Sequence, residues 1–168
     1  TGLIRTVAGT GAAAYNGDGM DAIETGLAGP SGLVLASDGT LFIADTFNGR
    51  IRAVDSVTGL IRTVAGDGGE YRYQGVNEPP SASLSRPSGI TLDEEGNLYM
   101  TDSDNHLVRR RDRITGCLER IAGVGVADYG GDGGAALEAG LSYPFGIVVS
   151  RAGHVFVADT FNHRIREI

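Results

Sequence analysis

The chain repeats one arrangement of apolar and polar positions. Gly32–Ala36 is a short apolar run closed by Ser37-Asp38-Gly39, and Asp-Gly after such a run signals a tight turn. Thr40–Asp45 follows, rich in β-formers, and ends at Thr46-Phe47-Asn48-Gly49, where Asn-Gly reads as a second hairpin turn. Arg50–Val54 alternates polar and apolar residues, the pattern of a half-buried strand. Asp55–Gly59 turns the chain and Leu60–Ala65 supplies a fourth strand. These strands, a to d in order, predict a four-stranded antiparallel meander.

The same unit recurs every 57 residues. Thr1–Gly9 and Thr58–Gly66 are identical, and Thr115–Gly123 is a looser copy. Pro30, Pro87 and Pro144 keep the step, as do Asn48, Asn105 and Asn162. Self-similarity at such a period marks a repeat architecture. A connection of about 20 residues joins d to the next a. It carries Gly-Asp-Gly at Gly17–Gly19 and Gly131–Gly133, and an Ala/Leu/Glu stretch at Ala135–Ala139 that predicts a helical turn or two. The middle copy departs from this at Gln74–Pro80. Leu27, Leu84 and Leu141 stand three residues before each proline and are expected to anchor the loop.

Four-stranded sheets repeated at this spacing predict an all-β fold, a β-propeller with strand a at the central channel and strand d at the rim. A β-solenoid is the competing arrangement, but its strands are parallel and its repeats shorter.

Ala158–Arg166 (Ala-Asp-Thr-Phe-Asn-His-Arg-Ile-Arg) and Thr101–Val108 resemble the Asn-His-Leu (NHL) repeat, and Ala44–Arg52 is the same element with Gly for His. The flanking Pro-Ser-Gly and Thr-Val-Ala-Gly segments are similar to the bacterial variety. The resemblance covers essentially the whole chain and implies a propeller, most often six-bladed. It implies no single activity, since relatives include ligand-binding sensors, RNA binders, lactonase-like hydrolases and a zinc-dependent lyase. It points to a bacterial extracytoplasmic setting.

Composition narrows the classes. The net charge is −7 and all 14 basic residues are Arg, so Schiff-base chemistry and a P-loop lysine are excluded and nucleic acid is not an expected partner. No apolar run reaches 18 residues, and no membrane partner is expected. One cysteine, Cys117, excludes an intrachain disulfide. The run Arg109-Arg110-Arg111 with Arg113 reads as a solvated sheet edge rather than a phosphate site.

The register of the repeat sets the expected assembly. The chain reads as strand d (1–9), two whole blades (30–66 and 87–123) and a blade lacking its own strand d (144–168), all one segment over 1–168. Three blades are too few for a ring. The expectation is a homodimer with six blades, each chain's first strand completing the partner's last blade. A fragment of a longer natural chain and an engineered repeat both stay open.

The d–a loops and b–c turns share one face, called the top. Its candidate binding residues are Tyr15, Asp18, Phe47, Asn48, Asp104, Asn105, His106, Tyr129, Asp132, Phe161, Asn162 and His163. Asp45, Asp102 and Asp159 end strand b in every unit, which favours a structural role: a carboxylate there accepts turn N–H bonds or pairs with an Arg of strand c. The three Asn residues are expected at the positive-φ turn position. Asp18 and Asp132 lack the oxygen cluster that calcium requires, and His106, His154 and His163 are not placed to make a three-His zinc site. No catalytic residues, metal or cofactor are expected. The expected function is a non-enzymatic scaffold or binding module, with a metal-assisted, lactonase-like hydrolase or a ligand-sensing propeller as alternatives. The apolar stretches Gly32–Ala36, Gly89–Leu92 and Gly146–Val149, placed at the channel, weigh against hydrolysis.

Overall fold

A computed structural model of the chain describes residues 2–69 and 82–168. The Gln74–Pro80 departure lies outside them. Strands β1 (Pro30–Leu35), β2 (Leu41–Asp45), β3 (Arg50–Val54) and β4 (Ile61–Ala65) form the first sheet, in that spatial order. The second sheet is β5 (Pro87–Leu92), β6 (Leu98–Asp102), β7 (Leu107–Arg111) and β8 (Leu118–Ala122). The third has three strands, β9 (Pro144–Val149), β10 (Val155–Asp159) and β11 (Arg164–Glu167). Every pairing is antiparallel, and the three registers match at the 57-residue step, as in Asp45↔Arg50, Asp102↔Leu107 and Asp159↔Arg164. This is the propeller meander that the hydrophobic pattern predicts.

The blades meet through their inner strands. A methyl group built on Gly32 would overlap the Ser88 carbonyl oxygen, and one on Gly89 would overlap that of Phe145. Glycine is therefore what lets neighbouring β-strands approach this closely. Ser31 Oγ donates to the Ser88 carbonyl at 3.1 Å, and Ser88 Oγ donates to the Phe145 carbonyl at 3.5 Å. Both bonds link equivalent residues one repeat apart.

Apolar side chains fill the space between blades. Ile51, Val64, Leu84, Ile90 and Met100 bury between the first and second blades, and Val108, Leu141, Val155 and Val157 between the second and third. Burial of this kind is worth roughly 25 cal/mol per Å² of apolar surface. Leu84 and Leu141 are fully buried, as expected of loop anchors, whereas Leu27 is only half-buried.

Two expectations need correction. The b–c connection is not an Asn-Gly hairpin turn but a 3-10 turn, Thr46–Asn48, Ser103–Asn105 and Thr160–Asn162. The left-handed residue is the next one, Gly49 (φ 60°), His106 (φ 56°) or His163 (φ 56°), so the Asn side chains are freed for another task. Arg109 is not solvated: it is 1 % exposed, and its equivalent Arg52 is fully buried. Leu3–Ala8, expected as a strand d without a blade of its own, is paired into no sheet here, and the outer place in the first blade is taken by β4. The predicted helical stretches are single 3-10 turns, Ala22–Glu24 and Ala136–Glu138.

Candidate functional site

The top face is organised by one clamp per blade. Asp45 Oδ1 accepts from the Ala28 N–H at 2.7 Å, Asp102 Oδ1 from Ser85 and Asp159 Oδ1 from Ser142, each also at 2.7 Å. The Asn three residues on donates to the same carboxylate, at 2.9 Å from Asn105 to Asp102 and from Asn162 to Asp159. The Arg seven residues on completes it: Arg52–Asp45 at 3.4 Å, Arg109–Asp102 at 2.7 Å and Arg166–Asp159 at 3.3 Å. One carboxylate thus joins the loop before strand a, the turn after strand b and the middle of strand c. Burial pushes the Asp102 carboxyl up, against the pull of Arg109, Asn105 and the Ser85 N–H. Three equivalent clamps, one per blade, describe a structural device.

Most of the top-face candidates extend this clamp into the long loops. Arg52 also binds the Gly17 carbonyl at 2.8 Å and Asp18 at 2.9 Å, while Arg166 pairs with Asp132 at 2.6 Å. Tyr15 lies under Arg50 with the guanidinium 3.8 Å from its ring centroid, and Tyr129 under Arg164 at 3.9 Å. Asn48 donates to the Ala14 carbonyl and Asn162 to that of Asp128, both at 2.8 Å. Tyr15, Asp18, Asn48, Tyr129, Asp132 and Asn162 are therefore occupied in holding the first and third loops, and Asn105 is buried at its clamp.

The remaining candidates lie along an arc over all three blades. Phe47 is exposed with Arg86 over its ring at 5.4 Å, and Arg86 reaches Asp104 at 3.5 Å. His106 is buried, accepts from the Tyr143 N–H through Nδ1 at 3.1 Å and meets the Tyr143 ring edge-on at 4.6 Å. Phe161 is exposed and packs on Tyr143 at 4.8 Å. His163 is exposed and remote from this stack in role: it only carries the left-handed turn.

A different feature was missed in the sequence. In the first blade, β4 is held on both sides: by β3, and by the preceding loop, where Gly19 donates to the Ile61 carbonyl at 2.8 Å and Ile61 donates to the Met20 carbonyl at 2.9 Å. In the third blade the matching loop residues Gly133 and Gly134 face β11 across a cleft of about 250 Å³, lined also by Ala136, Leu141, Val157 and Arg166. The signal was present in the equal spacing of Gly17–Gly19 and Gly131–Gly133, but nothing in composition shows that a loop can act as a strand partner.

The NHL repeat family profile matches residues 84–110 and 141–168. The chain is 36 % identical over 175 residues to Protein SUPPRESSOR OF QUENCHING 1, chloroplastic, of Arabidopsis thaliana, covering 99 % of the chain and 16 % of that protein. It is 32 % identical over 157 residues to NHL repeat-containing protein 2 of Bos taurus, covering 85 % of the chain and 21 % of that protein. It thus spans about a fifth or less of these relatives' length. A structural genomics protein of unknown function from Bacteroides thetaiotaomicron superposes with a TM-score of 0.71 at 25 % identity, over 82 % of this chain and 34 % of that one. With profile, relatives and blade geometry in agreement, residues 84–110 and 141–168 are NHL repeats, and the chain folds as β-propeller blades.

Proposed function

We propose that the chain is a non-catalytic propeller module that assembles by strand exchange, two copies closing a six-bladed ring. The observation that carries this is the cleft beside β11. Leu3–Ala8 has the same sequence as Leu60–Ala65, whose Ile61 is fully buried in that place in the first blade, whereas Ile4 is 100 % exposed. The segment that fits the cleft is therefore present in the chain, and it stands free of any sheet.

The blade faces support the same reading. Leu33 and Leu35 on β1 are exposed, though their equivalents Ile90 and Leu92 pack between blades. Ile165 on β11 is 71 % exposed, while its equivalents Ile51 and Val108 are fully buried. Apolar surface of this kind, with an unpaired strand edge, is covered in a stable assembly. A closed ring leaves Phe47, Asp104 and Phe161 on the accessible top face, where a ligand or protein would bind.

Light scattering on the eluted chain tests the assembly: twice the chain mass is expected, and a monomer overturns the exchange. Ile4→Asp is expected to leave a folded monomer. The non-catalytic reading rests on apolar inner strands. It is tested by incubating the dimer with aldonolactones with and without added divalent metal; turnover removed by chelation would overturn it.

A further inference from the structure

The joint between the first and second blades opens at its lower end, the end of the a–b and c–d turns, into a cavity of about 630 Å³. That is within the size range of small-molecule sites, roughly 300–1,000 Å³. Part of its wall is apolar, from Val34, Phe42, Val64 and Leu98, and three arginines stand at it: Arg62 on β4, Arg111 on β7 and Arg113 just after β7.

Six other arginines, Arg52, Arg86, Arg109, Arg110, Arg151 and Arg166, each pair with a carboxylate. Among the described residues, no carboxylate lies within 4.0 Å of Arg62, Arg111 or Arg113. Arg111 spends one N–H on the Val64 carbonyl at 2.8 Å. Burial and the like charge of Arg62 both press its guanidinium below its ordinary value. The cavity thus holds three arginines without a close ion-pair partner, in a chain of net charge −7.

The next joint shows that the fold does not demand them. One repeat on, Arg62 is replaced by Glu119 and Arg111 by Ile168. There Ile168 packs with Tyr99, Ile121 and Val149 against the inter-blade core. The same place is thus apolar packing at one joint and an arginine-flanked cavity at the other.

We infer that this cavity binds a small amphipathic carboxylate, its apolar body against Phe42 and Val64 and its carboxylate between Arg62 and Arg111. Guanidinium groups match a carboxylate in a bidentate manner. Asp38, Asp93, Glu94 and Glu95 also stand at the cavity, but each has a partner elsewhere: Asp38 accepts from the Thr40 N–H, Asp93 from that of Asn97, Glu95 from the Asn97 amide, and Glu94 pairs with Arg151 at 3.8 Å. These acids oppose a multiply charged group such as phosphate and leave a singly charged head as the better fit. All residues involved come from one chain, so the site is independent of strand exchange.

Calorimetric titration with decanoate tests the site. One molecule per chain is expected, weakened on the order of tenfold in Arg62→Gln and in Arg111→Gln, as loss of a charge-assisted pair implies. Arg164→Gln, which removes an equal charge from an exposed position on the third blade, should leave binding unchanged. Circular dichroism melting separates loss of binding from loss of fold, and Arg62, being exposed, serves where Arg111→Gln does not fold. Equal binding of decanol, tighter binding of inorganic phosphate, equal weakening by Arg164→Gln, or no heat from decanoate would each overturn the assignment.

Discussion

Arg109 Nε donates to Asp102 Oδ2 at 2.7 Å, and solvent reaches 1 % of the one side chain and none of the other. The pair joins β6 to β7 at the centre of the middle blade. Removing one member strands the other charge in the interior, which costs about 3–5 kcal/mol. Asp102→Ala is therefore expected to lower the unfolding free energy by that amount in urea titration. Replacing both residues together with apolar ones should recover much of the loss.

His106 and His163 occupy the same repeat position, with the same left-handed backbone, and should respond oppositely to glycine. At His163 the side chain is exposed, so relieving positive φ should stabilise the chain by about 0.5–1 kcal/mol. At His106 the ring packs on Tyr143 and accepts its N–H, so His106→Gly should destabilise by about 1–3 kcal/mol. Thermal melts of the two variants check the signs.

Acid should loosen the second joint through His106. Burial holds its imidazole below the ordinary value of 6.5, against the pull of Asp104 and Asp159. A lowered value means that the fold prefers the neutral ring, whose Nδ1 can accept from Tyr143. That contribution is complete above pH 6.5 and is lost as pH falls through the lower folded value. Between pH 7.5 and 5 the melting temperature of the parent chain should fall further than that of His106→Gln. Parallel falls would count against the linkage.

The inner-strand glycines offer a test that separates folding from assembly. Gly89→Ala forces a methyl group against the Phe145 carbonyl and should cost at least 1–3 kcal/mol of chain stability. Gly146 holds the same position in the third blade, where an added methyl meets nothing nearer than Ala158 Cβ at 3.3 Å. Gly146→Ala should leave the chain folded but remove the dimer in light scattering.

The sheets were legible because strand alternation and turn residues recur three times at one spacing. Asp45, Asp102 and Asp159 were legible as structural for the same reason. The turn geometry was not, since Asn48-Gly49 fits a hairpin turn and a 3-10 turn equally well, and only the fixed Asp–Asn contact selects the latter. Arg109 was misread because a run of three arginines suggests solvent, while strand alternation sends Arg109 to the clamp and its neighbour Arg110 to the opposite, partly exposed face. The cavity at Arg62 and Arg111 joins residues of two sheets, and no local pattern announces such a meeting.

Ser31 and Ser88 both donate forward, to the blade that follows, and so give each joint a polarity. A contact with unlike sides closes on itself only if the rotation per unit divides the circle; otherwise it propagates into a filament. The angle between blades, set by how closely Gly32 and Gly89 let the inner strands approach, then decides between a finite ring and a fibre. Substitutions that widen this angle without weakening the joint are those expected to turn the proposed pair into a polymer.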